Sequence, residues 1–191
     1  DHIILLTHGW ASKAADFSLL IESLKDNPKL KIIAFDAPGN GAAEGYLSNL
    51  LLYIAAVKTI IQKYGNPVIA IGHSLGGMAN IAALSELKLA PQLIISLTPL
   101  VKLKAHFAAS MDAIEIPKTI QQLYFETFEN KFNMKATIFD LNSLYKFDTN
   151  QEHLLIYDSQ DEVAPYIYLE EFLNNFPQVK KIDFQELGHY K

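Results

Sequence analysis

The sequence predicts an α/β fold, in which helices cover both faces of a mostly parallel sheet. Short apolar runs alternate with helical patterns along most of the chain, which is typical of repeated strand–helix–strand units. Half of the 191 residues are hydrophobic and 19% are charged, a balance typical of an ordinary globular protein. This length suits one domain with one core, so we predict a single domain over residues 1–191.

The first half of the chain contains four apolar runs separated by three helical patterns. The first helical pattern places apolar residues such as Phe17 and Leu24 on one face and ends at Asn27-Pro28. The second ends at Gly65, a residue suited to a left-handed helix cap. The predicted order is a strand at 3–7, a helix at 13–26, a strand at 30–35, a helix at 47–64, a strand at 68–71, a helix at 75–87 and a strand at 93–97.

The second half is organised differently, because residues 99–150 interrupt the alternation. This stretch predicts two to four helices, contains no convincing strand pattern and includes large apolar side chains such as Phe125 and Phe128. A helical insertion between two strands predicts a cap or lid, although the same side chains could simply pack the insertion onto the domain. After it we predict a strand at 153–157, a helix at 165–176 and a last strand at 180–184.

Charge and composition exclude several classes of partner. The formal net charge is −5 and no run of Lys or Arg stands out, so we expect neither nucleic acid nor an anionic membrane as a partner. No apolar run approaches the length of a transmembrane helix, so we predict no transmembrane segment. The chain has no cysteine, which excludes disulfides and a thiolate nucleophile. We expect a cytoplasmic location on that ground, although many exported bacterial proteins also lack cysteine.

A nucleophile motif lies where a predicted strand turns into a predicted helix. The segment from Gly72 to Gly77, Gly-His-Ser-Leu-Gly-Gly, contains G-x-S-x-G directly after an apolar strand, which is the context that this motif requires. Such a tight turn projects the serine hydroxyl, and the free N–H groups at the helix start favour negative charge on a reacting oxygen. We predict Ser74 as a nucleophile; the alternative is a glycine-rich turn with an incidental serine.

Three segments together resemble the α/β-hydrolase fold family. They are His8 to Trp10 after the first strand, Asp36 to Gly41 after the second, and Gly72 to Gly77 after the third. The middle segment is similar to the family's D-x-P-G-x-G turn, although alanines follow where the family often has a serine. The resemblance covers the chain from Ile3 to its end. It implies the α/β-hydrolase fold, with six parallel strands in the spatial order second, first, third, fourth, fifth, sixth, and a triad in the order Ser, acid, His.

The oxyanion of an acyl-transfer intermediate requires two hydrogen-bond donors. One donor is expected to be the backbone N–H of Leu75, the residue after the nucleophile. By resemblance to the family, the second is the backbone N–H of Trp10, in the loop after the first strand. We expect the side chain of His8 to brace this loop.

Three histidines follow Ser74 in the chain, and His189 is the predicted base. It lies in a Gly-His pair just beyond the last predicted strand, as in the family. Imidazole is the side chain that most readily exchanges protons near neutral pH. His153 begins a buried strand and is expected to be structural, whereas His106 and His73 are expected to be packing or solvent-facing residues.

The predicted acid is Asp161, which follows the strand that starts near His153. Pro165 stands four residues later, as in the family's D-x-x-V-P pattern, although Val163 stands one place early. Asp158 occupies a position where the family commonly has glycine, and it is the alternative acid. Either carboxylate could instead cap the helix that follows Pro165.

The ends of the chain depart from the family pattern. The chain opens on Asp1 directly before a strand, and it stops at Lys191, where family members continue into a helix. We expect the native chain to extend beyond these ends.

The leading functional hypothesis is hydrolysis of a small or medium, largely apolar carboxylic ester through an acyl-serine intermediate. Thioester, amide and carbon–carbon bond hydrolysis use the same triad and stay open, as does a non-catalytic member of the fold that binds a ligand. A nucleotide-binding domain is disfavoured, because no G-x-G-x-x-G follows the first strand. We predict a small-molecule ester as partner and neither a metal nor a cofactor.

Overall fold

The computed structural model describes residues 2–189 and contains one six-stranded sheet within them. Asp1, Tyr190 and Lys191, at the ends of the predicted domain, lie outside the described residues. The strands are β1 (His2–Thr7), β2 (Leu30–Phe35), β3 (Ile69–His73), β4 (Leu93–Leu97), β5 (His153–Asp158) and β6 (Lys180–Phe184). The helices are α1 (Ser18–Leu24), α2 (Leu50–Tyr64), α3 (Leu75–Leu87), α4 (Leu103–Ala113), α5 (Lys118–Phe132), α6 (Leu141–Leu144) and α7 (Tyr166–Asn175).

The strands lie in the order β2-β1-β3-β4-β5-β6, and every neighbouring pair is parallel. The predicted fold class and strand order are therefore confirmed. The order reverses between β1 and β3, and ligands of open parallel sheets bind at such a switch point, beyond the carboxyl ends of the strands. Thr7 of β1 pairs with Gly72 of β3, so the loop after β1 lies beside the turn that carries Ser74.

The two faces of the sheet carry apolar clusters of different size. The larger cluster includes side chains of α2 and α3, and every residue from Leu75 to Leu84 is buried. This burial explains why α3 is apolar on all sides instead of amphipathic. The smaller cluster lies under α1 and is built around Ile4, Leu6, Phe17 and Ile71.

Two predicted helices differ from the observed ones at their first turns. The first begins with a 3-10 turn at Ala14–Phe17 before α1 starts. The second begins at Leu50 instead of residue 47, because the Asn49 side chain accepts the Leu52 N–H at 3.0 Å and caps the helix there.

The segment 99–150, all of which the structure describes, contains α4, α5 and α6 with a 3-10 turn at Ala136–Ile138. Its only extended pairing is an isolated antiparallel bridge between Lys102 and Asp140. This agrees with the expected two to four helices. Across residues 2–189, no helix combines the length and apolar character that crossing a membrane requires.

Candidate active site

Ser74 lies in the sharp turn between β3 and α3. Its backbone has φ 51° and ψ −119°, a conformation that residues other than glycine seldom adopt. The Ser74 N–H donates to the Leu97 carbonyl of β4 at 2.9 Å, and the Ser74 carbonyl accepts the Gly77 N–H at 3.1 Å. Bonds to β4 and to the first turn of α3 thus hold the strained turn in place.

Two glycines allow the backbone segments around Ser74 to approach closely. A Cβ atom on Gly72 would lie 2.5 Å from the Cα of Gly77. A Cβ atom on Gly76 would collide with the carbonyl oxygens of Thr7 and His8, at the end of β1. The G-x-S-x-G spacing therefore reflects contacts of the turn with α3 and with the loop after β1, where a side chain has no room.

The structure brings the three residues predicted from the sequence into one hydrogen-bonded chain. Ser74 Oγ lies 2.8 Å from His189 Nε2, and His189 Nδ1 lies 2.7 Å from Asp161 Oδ2. All three are buried, with 5% of Ser74, 7% of His189 and 5% of Asp161 exposed. An ionised carboxylate only accepts hydrogen bonds, so Nδ1 carries the hydrogen and Nε2 presents its lone pair to the Ser74 hydroxyl.

Opposing effects act on the Asp161 carboxyl. Burial by itself would raise its pKa, because burial penalises the charged form. The hydrogen bond from His189 and those from the Ala164 and Val163 N–H groups outweigh burial, so the pKa of Asp161 is lowered. Asp161 Oδ1 accepts these two backbone bonds at 3.0 and 2.8 Å, which leaves Oδ2 for the imidazole.

The two N–H groups predicted as oxyanion donors lie on either side of the switch point. Leu75 is the first residue of α3, and Trp10 lies in the loop after β1. Among residues 2–189, neither backbone N–H has a hydrogen-bond acceptor. Both N–H groups are therefore available to a ligand oxygen.

Two residues outside this hydrogen-bonded chain contact the segment that ends at His189. Asp158 Oδ2 accepts the N–H groups of Leu187 and Gly188, each at 2.7 Å. His73 Nε2 lies 2.8 Å from the His189 carbonyl oxygen, to which it donates. The interpretation of Asp158 as an alternative acid or a helix cap, and of His73 as a packing residue, overlooked these contacts. No local pattern reveals them, because the partners are 29 to 116 positions apart.

Three other histidines, His8, His106 and His153, make contacts that support the fold around the site. His8 Nε2 accepts the Ala37 N–H at 2.9 Å and so braces the loop after β1, as expected. His106 Nδ1 lies 3.2 Å from the Val163 carbonyl and ties α4 to the loop that carries the acid. His153 lies 2.9 Å from the Ser96 hydroxyl, and burial lowers its pKa to about 3. It therefore stays neutral inside the sheet, consistent with a structural role.

Two cavities meet at Trp10. The first, of about 470 Å³, lies between the start of α2 and the helices α4 and α5, and its lining is largely apolar. The second, of about 530 Å³, is lined by His189, His73 and Asp158 and by residues of the β4 and β5 ends. The Trp10 indole is 43% exposed and meets the Phe107 ring of α4 edge-on at 6.0 Å. Trp10 thus connects the surroundings of the base with the apolar helices of the insertion.

Within residues 2–189, no group of three or more histidine or acidic side chains is arranged to hold a metal ion.

Sequence comparison identifies the family. A model described as the alpha/beta hydrolase family matches residues 4–169, which is most of the chain. The chain belongs to this family. The matched segment includes Ser74 and Asp161 but stops before His189, so the geometry of the base rests on the structure alone. A search of curated proteins found no match.

Solved structures of other hydrolases share the fold. The alpha/beta hydrolase domain-containing protein 10 from mouse aligns with a TM-score of 0.71 at 18% identity, over 98% of this chain and 81% of the mouse protein. Est1E from Butyrivibrio proteoclasticus, in a structure with bound ferulic acid, aligns with a TM-score of 0.69 at 15% identity, over 99% and 81%. An esterase from Exiguobacterium antarcticum aligns at 0.67 and 17% identity, over 99% and 85%. At these identities the likeness is one of fold.

Proposed function

We propose that this alpha/beta hydrolase family member is a serine hydrolase that cleaves carboxylic esters through an acyl-serine intermediate on Ser74. The hydrogen-bonded chain from Asp161 through His189 to Ser74 carries the proposal, because it supplies a nucleophile, a base and a group that orients the base.

In the acylation step, Ser74 Oγ attacks the ester carbonyl carbon while His189 Nε2 takes the hydroxyl proton. The imidazolium that forms keeps its Nδ1–H on Asp161 Oδ2, whose negative charge stabilises it. Collapse of the tetrahedral intermediate breaks the bond to the alcohol, and the Nε2 proton passes to the leaving alkoxide. The enzyme is then an ester of Ser74, and His189 is again neutral.

In the deacylation step, a water molecule repeats the attack with His189 as base. The acid product leaves and Ser74 Oγ recovers its proton from Nε2. During both steps the carbonyl oxygen becomes an oxyanion, and we assign its stabilisation to the N–H groups of Trp10 and Leu75. Their lack of acceptors within residues 2–189 supports this assignment. Donors of this kind typically contribute about 3 kcal/mol each to the barrier reduction.

The substrate that fits this arrangement is small or medium-sized and largely apolar. We propose that residues 99–150 act as a cap, since α4 and α5 wall the cavity of about 470 Å³ that begins at Trp10. Phe107, Phe125 and Phe128 line this cavity, and such side chains favour alkyl or aromatic groups over charged ones. One apolar part of the ester is expected to occupy the cavity while its carbonyl lies at Ser74.

A fluorophosphonate probe, which phosphonylates activated serines, tests the proposal. The wild-type protein should incorporate one probe per chain at Ser74 and hydrolyse p-nitrophenyl esters, whereas Ser74→Ala should do neither. Ser159→Ala is a matched control, because Ser159 is an exposed serine in the turn after β5. It should react like the wild type. Intact-mass and peptide-mapping spectra give the stoichiometry and the site. Labelling that survives in Ser74→Ala would refute the assignment of the nucleophile.

A further inference from the structure

His189 lies in the short segment that follows the strand β6. All five residues of β6, from Lys180 to Phe184, are exposed, and among the described strands β6 pairs with β5 alone. His189 nevertheless must keep Nε2 within hydrogen-bond distance of Ser74. Within residues 2–189, side-chain hydrogen bonds join the segment after β6 to the rest of the fold.

The Asp158 carboxylate makes these contacts from the end of β5. Oδ2 accepts the N–H groups of Leu187 and Gly188 at 2.7 Å each, and Oδ1 accepts the N–H of Gln160, also at 2.7 Å. Asp158 is only 1% exposed. One buried carboxylate therefore joins its own turn to the two residues that precede His189.

The backbone before His189 is shaped to receive an anion. Glu186 has φ 66° and Gly188 has φ 63°, so left-handed residues flank Leu187. Alternation of this kind turns successive N–H groups to the same side and forms a concave anion site. Glu186 is not glycine, so its conformation is costly and persists only where surrounding contacts favour it. The Asp158 carboxylate, bonded to both N–H groups of this site, provides such contacts.

We propose that Asp158 is a positioning residue for the base: its carboxylate fixes the backbone from which His189 projects, whereas Asp161 orients the imidazole ring. The inference rests on the proposed function, since a base has to be positioned only if Ser74 reacts. Its support lies in the division of contacts between the two carboxylates, one on backbone N–H groups and one on the ring. His73, which donates to the His189 carbonyl, holds the same segment from the side of β3.

The variant Asp158→Asn removes the charge and one hydrogen-bond acceptor of the side chain but keeps its shape. Asp158→Asn keeps the size of the side chain, but one of its two polar atoms becomes an N–H₂ donor. In one orientation this donor faces the N–H groups of Leu187 and Gly188, and in the other it faces the Gln160 N–H. Either orientation places donor against donor, so the segment before His189 loses contacts or shifts.

The test measures kcat, KM and the rate of fluorophosphonate labelling for Asp158→Asn, together with amide hydrogen exchange. Displacement of a catalytic group by about 1 Å costs roughly 10²-fold in rate, so we expect losses of that order in kcat and labelling, with little change in KM. The amides of Leu187 and Gly188 should exchange faster than in the wild type, while amides of β3 and α3 keep their protection. Asp183→Asn is the matched control, because within residues 2–189 the Asp183 side chain accepts the Ser159 N–H alone, at the same sheet edge. Its kinetics should match the wild type.

The outcomes separate this inference from the proposed function. A wild-type protein without labelling at Ser74 would contradict the proposed function itself. The role of Asp158 would be overturned, and the proposed function kept, by a different result. In that result the wild type is labelled at Ser74, Asp158→Asn reacts equally fast, and its Leu187 and Gly188 amides stay protected from exchange. If Asp158→Asn does not fold, Asp158→Ser offers the same test, since its single, shorter hydroxyl cannot accept the three N–H groups that the carboxylate accepts. Wild-type reactivity in that variant would likewise overturn the inference.

Discussion

The candidate nucleophile and the candidate base are held in place by different kinds of structure. Ser74 lies between β3 and the fully buried start of α3, where Gly72 and Gly76 let backbone segments touch. His189 follows an exposed edge strand, and side-chain contacts from Asp158, Asp161 and His73 hold it. Within residues 2–189, close packing surrounds the turn of Ser74, whereas hydrogen bonds to buried polar groups hold the segment of His189.

This difference has a consequence for how mutations act. Packing defects near Ser74 should cost stability, because the turn shares its contacts with the core of the sheet. Lost hydrogen bonds near His189 should cost rate more than stability, because they move one segment at the edge of the molecule.

Asp161→Asn should cause the largest loss on the base side. With the asparagine oxygen accepting the Val163 and Ala164 N–H groups, its N–H₂ group faces His189 Nδ1 and favours the tautomer with hydrogen on Nε2. That tautomer cannot take the Ser74 proton. The matching change in serine proteases lowers kcat about 10⁴-fold, equivalent to about 5 kcal/mol of barrier, and we expect a similar loss here.

Ester hydrolysis at steady state measures this loss, and circular dichroism should show an unchanged fold. Asp158→Asn serves as the comparison, since its expected loss is about 10²-fold. If Asp161→Asn keeps near wild-type turnover while Asp158→Asn is inactive, the two roles are reversed: Asp158 would orient the imidazole and Asp161 would hold the backbone.

Glycine-to-alanine variants compare the two sides directly. Alanine at Gly72 places a Cβ 2.5 Å from the Gly77 Cα, and we expect a destabilisation of about 3 kcal/mol or more, as for overpacking against backbone. At Gly188, where φ is 63°, an added Cβ meets no heavy atom of the described residues within 4 Å apart from its chain neighbours, so we expect the backbone conformation alone to cost about 1 kcal/mol.

Urea denaturation of both variants gives the two free energies of unfolding. Kinetics complete the comparison, because Gly188→Ala should lower kcat more than its small stability loss implies. Equal destabilisation by both changes would mean that the two sides are held alike.

Phe125→Ala should have the smallest effect, on substrate preference instead of turnover. Phe125 of α5 is half-buried and lines the apolar cavity, with the Lys104 ammonium 4.9 Å from its ring centroid. Loss of its ring should shift the relative kcat/KM of long and short p-nitrophenyl esters several-fold, as expected for contacts worth about 1 kcal/mol. Thermal stability should change little.

Phe139→Ala is the matched control for this variant. Phe139 lines the same cavity, but it is only 5% exposed and belongs to the larger apolar cluster. It should lose about 3–5 kcal/mol of stability. If Phe125→Ala keeps its ester preference and loses as much stability as Phe139→Ala, then Phe125 is an ordinary core residue. The segment 99–150 would then not select the substrate at this position.

Much of the fold could be predicted from local patterns. The helix Leu75–Leu87 and the strands Leu93–Leu97 and Lys180–Phe184 have their predicted bounds, because apolar runs and their ends are properties of neighbouring residues. The start of α2 was displaced by three residues, since the cap on Asn49 outweighs the helical pattern that begins at residue 47. Ser74 was identified for a similar reason, as its motif and its turn occupy the same six residues.

The sequence alone therefore determined the fold class, the strand order and the position of the candidate nucleophile. It favoured Asp161 over Asp158, three positions away in the same turn, only through the resemblance to the family's D-x-x-V-P pattern. That choice depends on where the segment after β6 returns to the sheet, which follows from the pairing of Asp158 with Phe184 at the ends of β5 and β6. Contacts between residues far apart in the chain leave no local pattern, so only the tertiary structure brought one carboxylate to the imidazole and the other to the backbone behind it.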